Sequence, residues 1–257
     1  ICLAPLGSWA AVDSGLLALA PSDTNTIASI DVGKARNSDF GQYLLAKHPM
    51  GDQDFEKMMT QTGFDPRRDL QHLLLASVRP ANGGRPSSFA IFARGTFDED
   101  RIKAAATAKN AKIQNYQGVS MFVNGADADR MAFAFLDTGV AVMADVPTLE
   151  QIIANRAAPA ALNPDLASKI EAVGSDNDVW FVALGTGGVL ARHMFEEAGP
   201  QAQAFQSISQ SSGGIRFGQT ILASFQAVTR SAPDANALAD VIRFVASMVQ
   251  MRQQDDP

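Results

Sequence analysis

The chain has 257 residues, 46% of them hydrophobic and 19% charged, with a formal net charge of -6. That composition is globular rather than disordered, and the length suits one large domain or two small ones. There is no block of Lys and Arg and there are only two Tyr and two Trp, which argues against a nucleic-acid partner and against adsorption to an anionic membrane surface.

Residues 1–11, ICLAPLGSWAA, carry no charge. Leu3, Leu6 and Trp9, with the small-x-small run Ser8-Trp9-Ala10, fit the end of a signal-peptide apolar region and its cleavage site. This favours export, through a signal peptide or an N-terminal anchor, to the periplasm or cell surface. The plainer alternative is an apolar N-terminal segment. Cys2 would suit a lipid anchor, but Ile1 stands where such a site takes a small residue. Residues 1–20 are read as a signal-peptide remnant or N-terminal extension, with a membrane tether expected upstream if anchored. No later stretch approaches the ~18 apolar residues of a membrane span. The single Cys cannot make an internal disulfide, so stability must come from the core.

A first unit is expected over 21–158. A turn at 20–24 leads to a strand at 26–32, then a helix at 38–45 capped by Ser38, with Phe40, Tyr43 and Leu44 on one face. A second helix, 52–62, carries Phe55, Met58 and Met59 at helical spacing, a stripe that reads as core, and Gly63 is placed to end it. A buried strand at 73–78, a Gly/Pro-rich loop at 80–86 and a strand at 88–94 follow. Thr96-Phe97-Asp98-Glu99 has the form of a capping box before a helix at 98–110. Residues 116–123 read as one long strand bent at Gly118. Strands at 131–136 and 140–144 flank Asp137-Thr138-Gly139 as a hairpin, and Pro147 opens a helix to Arg156 with the stripe Leu149, Ile152 and Ile153.

Residues 157–164, rich in Ala and Pro, form the linker to a second, shorter unit over 165–254. That unit reads as a short helix at 165–173, a strand at 178–184 and a mostly helical stretch at 189–211. Ser212-Gly213-Gly214 is expected to turn, followed by a strand at 220–228. Ser231-Ala232-Pro233-Asp234 caps a final helix at 233–253, whose stripe Leu238, Val241, Ile242, Val245, Met248 and Val249 is the clearest amphipathic signal in the chain. The fold class is therefore α+β, with antiparallel-rich sheets packed by helices in two related β-α-β-β-α units. Extra strands follow the last helix of the first unit only, so either the second copy is shortened or the natural chain runs on.

Chemistry-bearing motifs are few. His48, His72 and His193 lack ligand partners at useful spacing, and His193 with Glu197 is not a zincin pattern. Cys2 has no nearby base. Gly185-Thr186-Gly187-Gly188 lies between a strand and a helix, where a phosphate cradle would sit, but it fails both phosphate-loop spacings and no Lys follows, so it reads as a tight turn. No cofactor or metal is expected. The densest charge cluster is Asp65, Arg67, Arg68 and Asp69 around Pro66. Its arginines could clamp an anion or a partner carboxylate, and these four residues are the candidate ligand- or partner-contact site. The alternative is a self-paired turn, with Asp65 accepting local N–H bonds and Asp69 pairing with an arginine.

Three short elements resemble a known family. Gly63-Phe64-Asp65 with Asp69-Leu70 before a strand, Gly95-Thr96-Phe97 at a strand-to-helix turn, and Tyr116-Gln117-Gly118 in a strand are similar to bacterial extracytoplasmic domains of unknown function of the DUF3352 type. The resemblance covers about residues 20–156. It implies an exported or surface-tethered domain, and it supplies no catalytic residues.

Without a catalytic constellation, the expected function is a non-catalytic extracytoplasmic binding or interaction module. Its partner would be a protein or a small hydrophobic ligand, met by an open sheet face or a cleft between the halves. Two alternatives stand beside it. Met50, Met58, Met59, Met121, Met131 and Met143, with 15 Phe, could line the pocket of a carrier of lipid or another hydrophobic ligand. A hydrolase would need convergent titratable groups that the sequence does not reveal.

Overall fold

The computed structural model describes residues 12–47, 53–78, 88–124, 130–157, 159–185 and 207–255. Cys2, His48, Met50, residues 189–206 of the expected helical stretch with His193, Thr186, Gly187, Gly188 and the first eleven residues of the N-terminal extension expected at 1–20 lie outside them.

The first described helix, α1 (Ser14–Leu17), is one turn capped by Asp13. β1 (Thr24–Asp31) ends in Asp31, whose side chain caps α2 (Val32–Asn37). α3 (Asp39–Lys47) follows at once, because the Ser38 hydroxyl accepts from Gly41 N at 3.0 Å. α4 (Gln53–Thr62) stops at Gly63, which takes the left-handed φ of 71° and donates to Met59 O. The single turn α5 (Pro66–Asp69) sets up β2 (Leu70–Val78), and β3 (Ser88–Gly95) leads to α6 (Glu99–Ala108). β4 (Lys112–Tyr116), β5 (Val119–Val123), β6 (Met131–Asp137) and β7 (Val140–Asp145) form a meander that α7 (Val146–Asn155) closes. α8 (Pro164–Gly174) leads into β8 (Val179–Leu184), then β9 (Ile208–Arg216), β10 (Leu222–Thr229) and the long α9 (Ala232–Asp255).

This is an α+β fold, and its strands make one ten-stranded sheet instead of several. The order is β10-β9-β8-β1-β2-β3-β7-β6-β5-β4, antiparallel at every pairing. Both expected units contribute to it and meet at the β1–β8 pair. About that pair the order is palindromic: β1, β2, β3 run outward on one side and β8, β9, β10 on the other. Beyond β3 the sheet continues through β7, whereas beyond β10 no described strand follows.

The core lies on the face that carries Ile27, Leu74, Phe92, Val142, Met121 and Trp180, all 1% exposed or less. Leu16 of α1, Leu149, Ile152 and Ile153 of α7, and Leu166 and Ile170 of α8 close over it. The stripe expected for 147–156 is thus the buried face of α7, entered through the Asp145 cap with Pro147 in the first turn. Asp13 fixes α1 to the same face through a bidentate pair with Arg94 of β3.

Four expectations change. Residues 116–123 are not one bent strand but the end of β4, a turn and β5; Gln117 and Gly118 both take positive φ (47° and 79°), which matches the twist of a two-residue hairpin. Residues 208–211, read as helical, and the expected turn at 212–214 are instead strand β9. Its glycines are there for close approach: a Cβ on Gly213 would meet Ser224 O at 2.5 Å, and one on Gly214 would meet Asn177 Cγ at 2.2 Å. The cap of α6 is Asp98, not Thr96, whose backbone is still held by Asp69 O at the end of β3. The cap at Ser231 does form, with Asp234 N donating to Ser231 Oγ at 3.3 Å and Ser231 Oγ donating to Asp234 Oδ2 at 2.7 Å. The stripe of α9 is buried at Leu238, but Ile242 is exposed.

Candidate functional site

The charge cluster of α5 is built by its own sequence. Asp65 caps the turn by accepting from Arg67 N at 3.0 Å, and Pro66 supplies the fixed φ of the first helical position. The same carboxylate takes both arms of the Arg67 guanidinium, at 2.9 and 3.0 Å. Asp69 holds Arg68 in a second bidentate pair, at 2.7 Å for each bond, and its Oδ2 also accepts from Asp65 N. Arg36 of α2 donates to the carbonyls of Arg67 and Arg68, which ties the turn to the end of β1. The guanidinium of Arg67 also lies 5.6 Å from the Phe55 ring centre. The hydrogen bonds from Arg67 hold the Asp65 carboxyl below the usual range, and those from Arg68 do the same for Asp69. All four candidate residues therefore come together, and each arginine already has a carboxylate.

Several other acidic groups are engaged in a similar way. Asp13, Asp31, Asp98 and Asp145 each cap a helix, as Asp65 does. Asp178 is buried between strands, accepting from Lys34 Nζ at 3.0 Å and from Phe217 N at 2.8 Å. His72 faces Asp31 and Arg94 across neighbouring strands. No group of three metal-ligating side chains occurs among the described residues.

A second candidate emerges on the sheet face opposite the core. In the observed register one row crosses all ten strands. From β10 to β2 it reads Phe225, Gly213, Phe181, Ala28 and Leu75. From β3 to β4 it reads Ile91, Met143, Phe133, Phe122 and Ile113. None is polar. The adjacent row, Ala223, Ile215, Val179, Ile30, Leu73, Ala93, Ala141 and Phe135, is apolar as well. At one end this face is covered by aromatic contacts, Phe64 on Phe97 at 5.2 Å and Phe97 on Phe135 at 5.6 Å, with Lys103 of α6 5.7 Å from the Phe135 ring. Elsewhere it is partly open: Phe122 is buried, and Ala28, Leu75, Ile91, Phe133 and Phe181 are half-buried. Phe89, Met143, Ile113 and Phe225 remain 40% or more exposed.

Sequence reasoning foresaw an open face without locating it. The signal was present in Leu73-Leu74-Leu75 and in the unbroken run 89–93, because a strand apolar at successive positions has two apolar faces. Ile113 and Gly213 were missed because their strands were not recognised. Of the methionines expected to line a pocket, Met121 is in the core, while Met131 and Met143 lie on the opposite face, so these three share no pocket. A depression of about 370 Å3 lies between α4 and α6, lined by Gln61, Arg101, Ala104, Ala105, Ala108 and Lys109, away from that row.

The class these features define is an α+β protein with a single large antiparallel sheet, one face sealed by helices and the other largely apolar and partly open. No family model and no curated protein matches the chain. Among solved structures it is similar to TP0453. Crystal form III superposes with a TM-score of 0.51 at 10% identity, over 90% of this chain and 87% of that one. Crystal form I gives 0.50 at 12% identity, over 94% and 86%. At such identity the likeness is one of fold alone.

Proposed function

We propose that the chain is a non-catalytic extracytoplasmic binding module that meets a hydrophobic ligand or partner with its open sheet face. The observation that carries this is the apolar row across ten strands, left exposed at Ile113, Met143 and Phe225 while α1, α7 and α8 all pack on the other side. An apolar patch of this extent costs solubility unless something covers it in use. The non-catalytic part rests on Asp13, Asp31, Asp65, Asp145 and Asp178, whose carboxylates are taken up as helix caps or ion-pair partners. The extracytoplasmic part rests on the uncharged residues 1–11 and on the resemblance to exported domains of unknown function. No described helix is long and apolar enough to cross a membrane.

A carrier of a lipid-like molecule is the second reading, favoured by Thr26 and Ser77. They pair across β1 and β2 in the row of Phe89, are buried, and their hydroxyls have no hydrogen-bond partner among the described residues. Such groups suit the single polar end of a mostly apolar ligand.

The test is binding of 8-anilinonaphthalene-1-sulfonate and of a long-chain fatty acid by the natural sequence and by the double variant Phe89→Asp, Met143→Asp. Both sites are exposed, so the melting temperature should hold while binding of the dye falls. Saturable fatty-acid binding that the variant loses would favour the carrier. Dye binding equal in both proteins would exclude this face as the site.

A further inference from the structure

The palindromic strand order gives β3 and β10 equivalent places, each third from the β1–β8 pair and each reached by an antiparallel hairpin from its inner neighbour. They differ in what lies outside. The outer edge of β3 is paired with β7, from Ala90 opposite Ala144 to Arg94 opposite Val140. On the outer edge of β10 no described strand is paired. The other end of the sheet, β4, is short at five residues and carries Lys112, two features that discourage edge pairing. β10 has neither. Its eight residues, LASFQAVT, include no charge and no Pro, and Leu222 and Val228 on one face and Phe225 on the other are all 44% or more exposed.

We infer that β10 is a strand-pairing edge whose partner is β10 of a second copy of this chain. A two-fold axis perpendicular to the sheet through Phe225 keeps each face of the sheet continuous between copies and pairs like with like. Phe225 would face its own counterpart, Ala223 would face Ala227, and Leu222 would face Val228, while Ser224 would meet Gln226. The strand brings no charge to the junction, so two copies of a protein with net charge -6 meet where neither is charged. The product is a continuous twenty-stranded sheet whose open faces join on one side, since Phe225 belongs to the apolar row. One strand pair buries less than the about 1,200 Å2 of a standard interface, so the dimer should be of micromolar strength.

The experiment is sedimentation of the natural sequence, with disulfide trapping to fix the register. In a Cys2→Ser background, Phe225→Cys places two thiols directly opposite, at the about 5 Å Cα separation that a disulfide needs. Ala223→Cys places them about 13 Å apart, out of reach. The expected result is a monomer–dimer equilibrium at about 100 µM, and trapping at least tenfold faster for Phe225→Cys than for Ala223→Cys. Ala227→Lys, on an exposed edge, should sediment as a monomer with an unchanged circular dichroism spectrum. A monomeric natural sequence at that concentration would overturn the inference. So would a dimer that traps equally at both positions or that Ala227→Lys leaves intact.

Discussion

Both faces of the sheet carry large apolar side chains, and they meet different fates. Phe92 and Met143 sit on neighbouring strands, β3 and β7, on opposite sides. Phe92 is fully buried under the helices, and Met143 is 40% exposed. What separates them is not side-chain chemistry but where the connections lay their helices. α1, α7 and α8 all return to one side, and the other keeps an apolar surface that only a ligand, a partner or a further segment could cover. Burial is where the stability lies; the exposed row is where recognition is proposed.

The largest expected effect tests that contrast directly. Phe92→Ala should cost about 3–5 kcal/mol in denaturant unfolding, whereas Met143→Ala should cost under about 1 kcal/mol. Equal costs would mean that the second face is also sealed. Gly213→Ala should cost about 1–3 kcal/mol, because its Cβ would press on the Ser224 carbonyl and the Phe181 ring of the open face. A neutral result would show that β9 and β10 are not held in close register there.

Asp13→Asn probes the fastening of the sealed face. Asn still caps α1, so the loss is the charged pair with Arg94, on the order of 1–2 kcal/mol at neutral pH. Burial alone would raise the Asp13 carboxyl, but the Arg94 and Leu16 hydrogen bonds outweigh it and hold it below its ordinary value. A depressed native pKa stabilises the fold above the unfolded value of about 3.9, and that contribution is lost as pH falls through the native value. The two proteins should therefore differ at neutral pH and converge in acid, which urea titrations across that range would check. The smallest effect belongs to neither face. Arg68→Ala removes an exposed, solvent-screened pair and should leave the melting temperature unchanged within error; a clear drop would make the α5 turn a structural keystone.

Local features were legible where one residue settles the geometry. Gly63 ends α4, Gly139 turns the β6–β7 hairpin with φ 106°, Asp65-Pro66 starts α5, and the Leu149, Ile152 and Ile153 stripe is the buried side of α7. The candidate cluster Asp65, Arg67, Arg68 and Asp69 was legible as a group for the same reason, since its members lie within one turn. Elements held by distant contacts were not. Gly213 and Gly214 look like a turn in sequence, and only the strand on one side and Asn177 on the other explain why glycine stands inside β9. Gln117 gives no sign of a left-handed turn, yet the pairing of Tyr116 with Val119 demands it. The stripe of α9 reads as the strongest packing signal, yet of its described members Leu238 is buried and Ile242 exposed, because amphipathicity says that a face is apolar and not how much of it is covered.

The sequence by itself determined the α+β class, the order of most elements and the caps and turns that bound them, because spacing, proline, glycine and short polar side chains act within a few residues. The tertiary structure alone decided that both halves of the chain share one sheet, that the order is palindromic about β1 and β8, and that one apolar face is sealed while the other is partly open. Those outcomes depend on strand register and on the side to which each helix returns, and both are fixed by contacts between residues far apart in the chain.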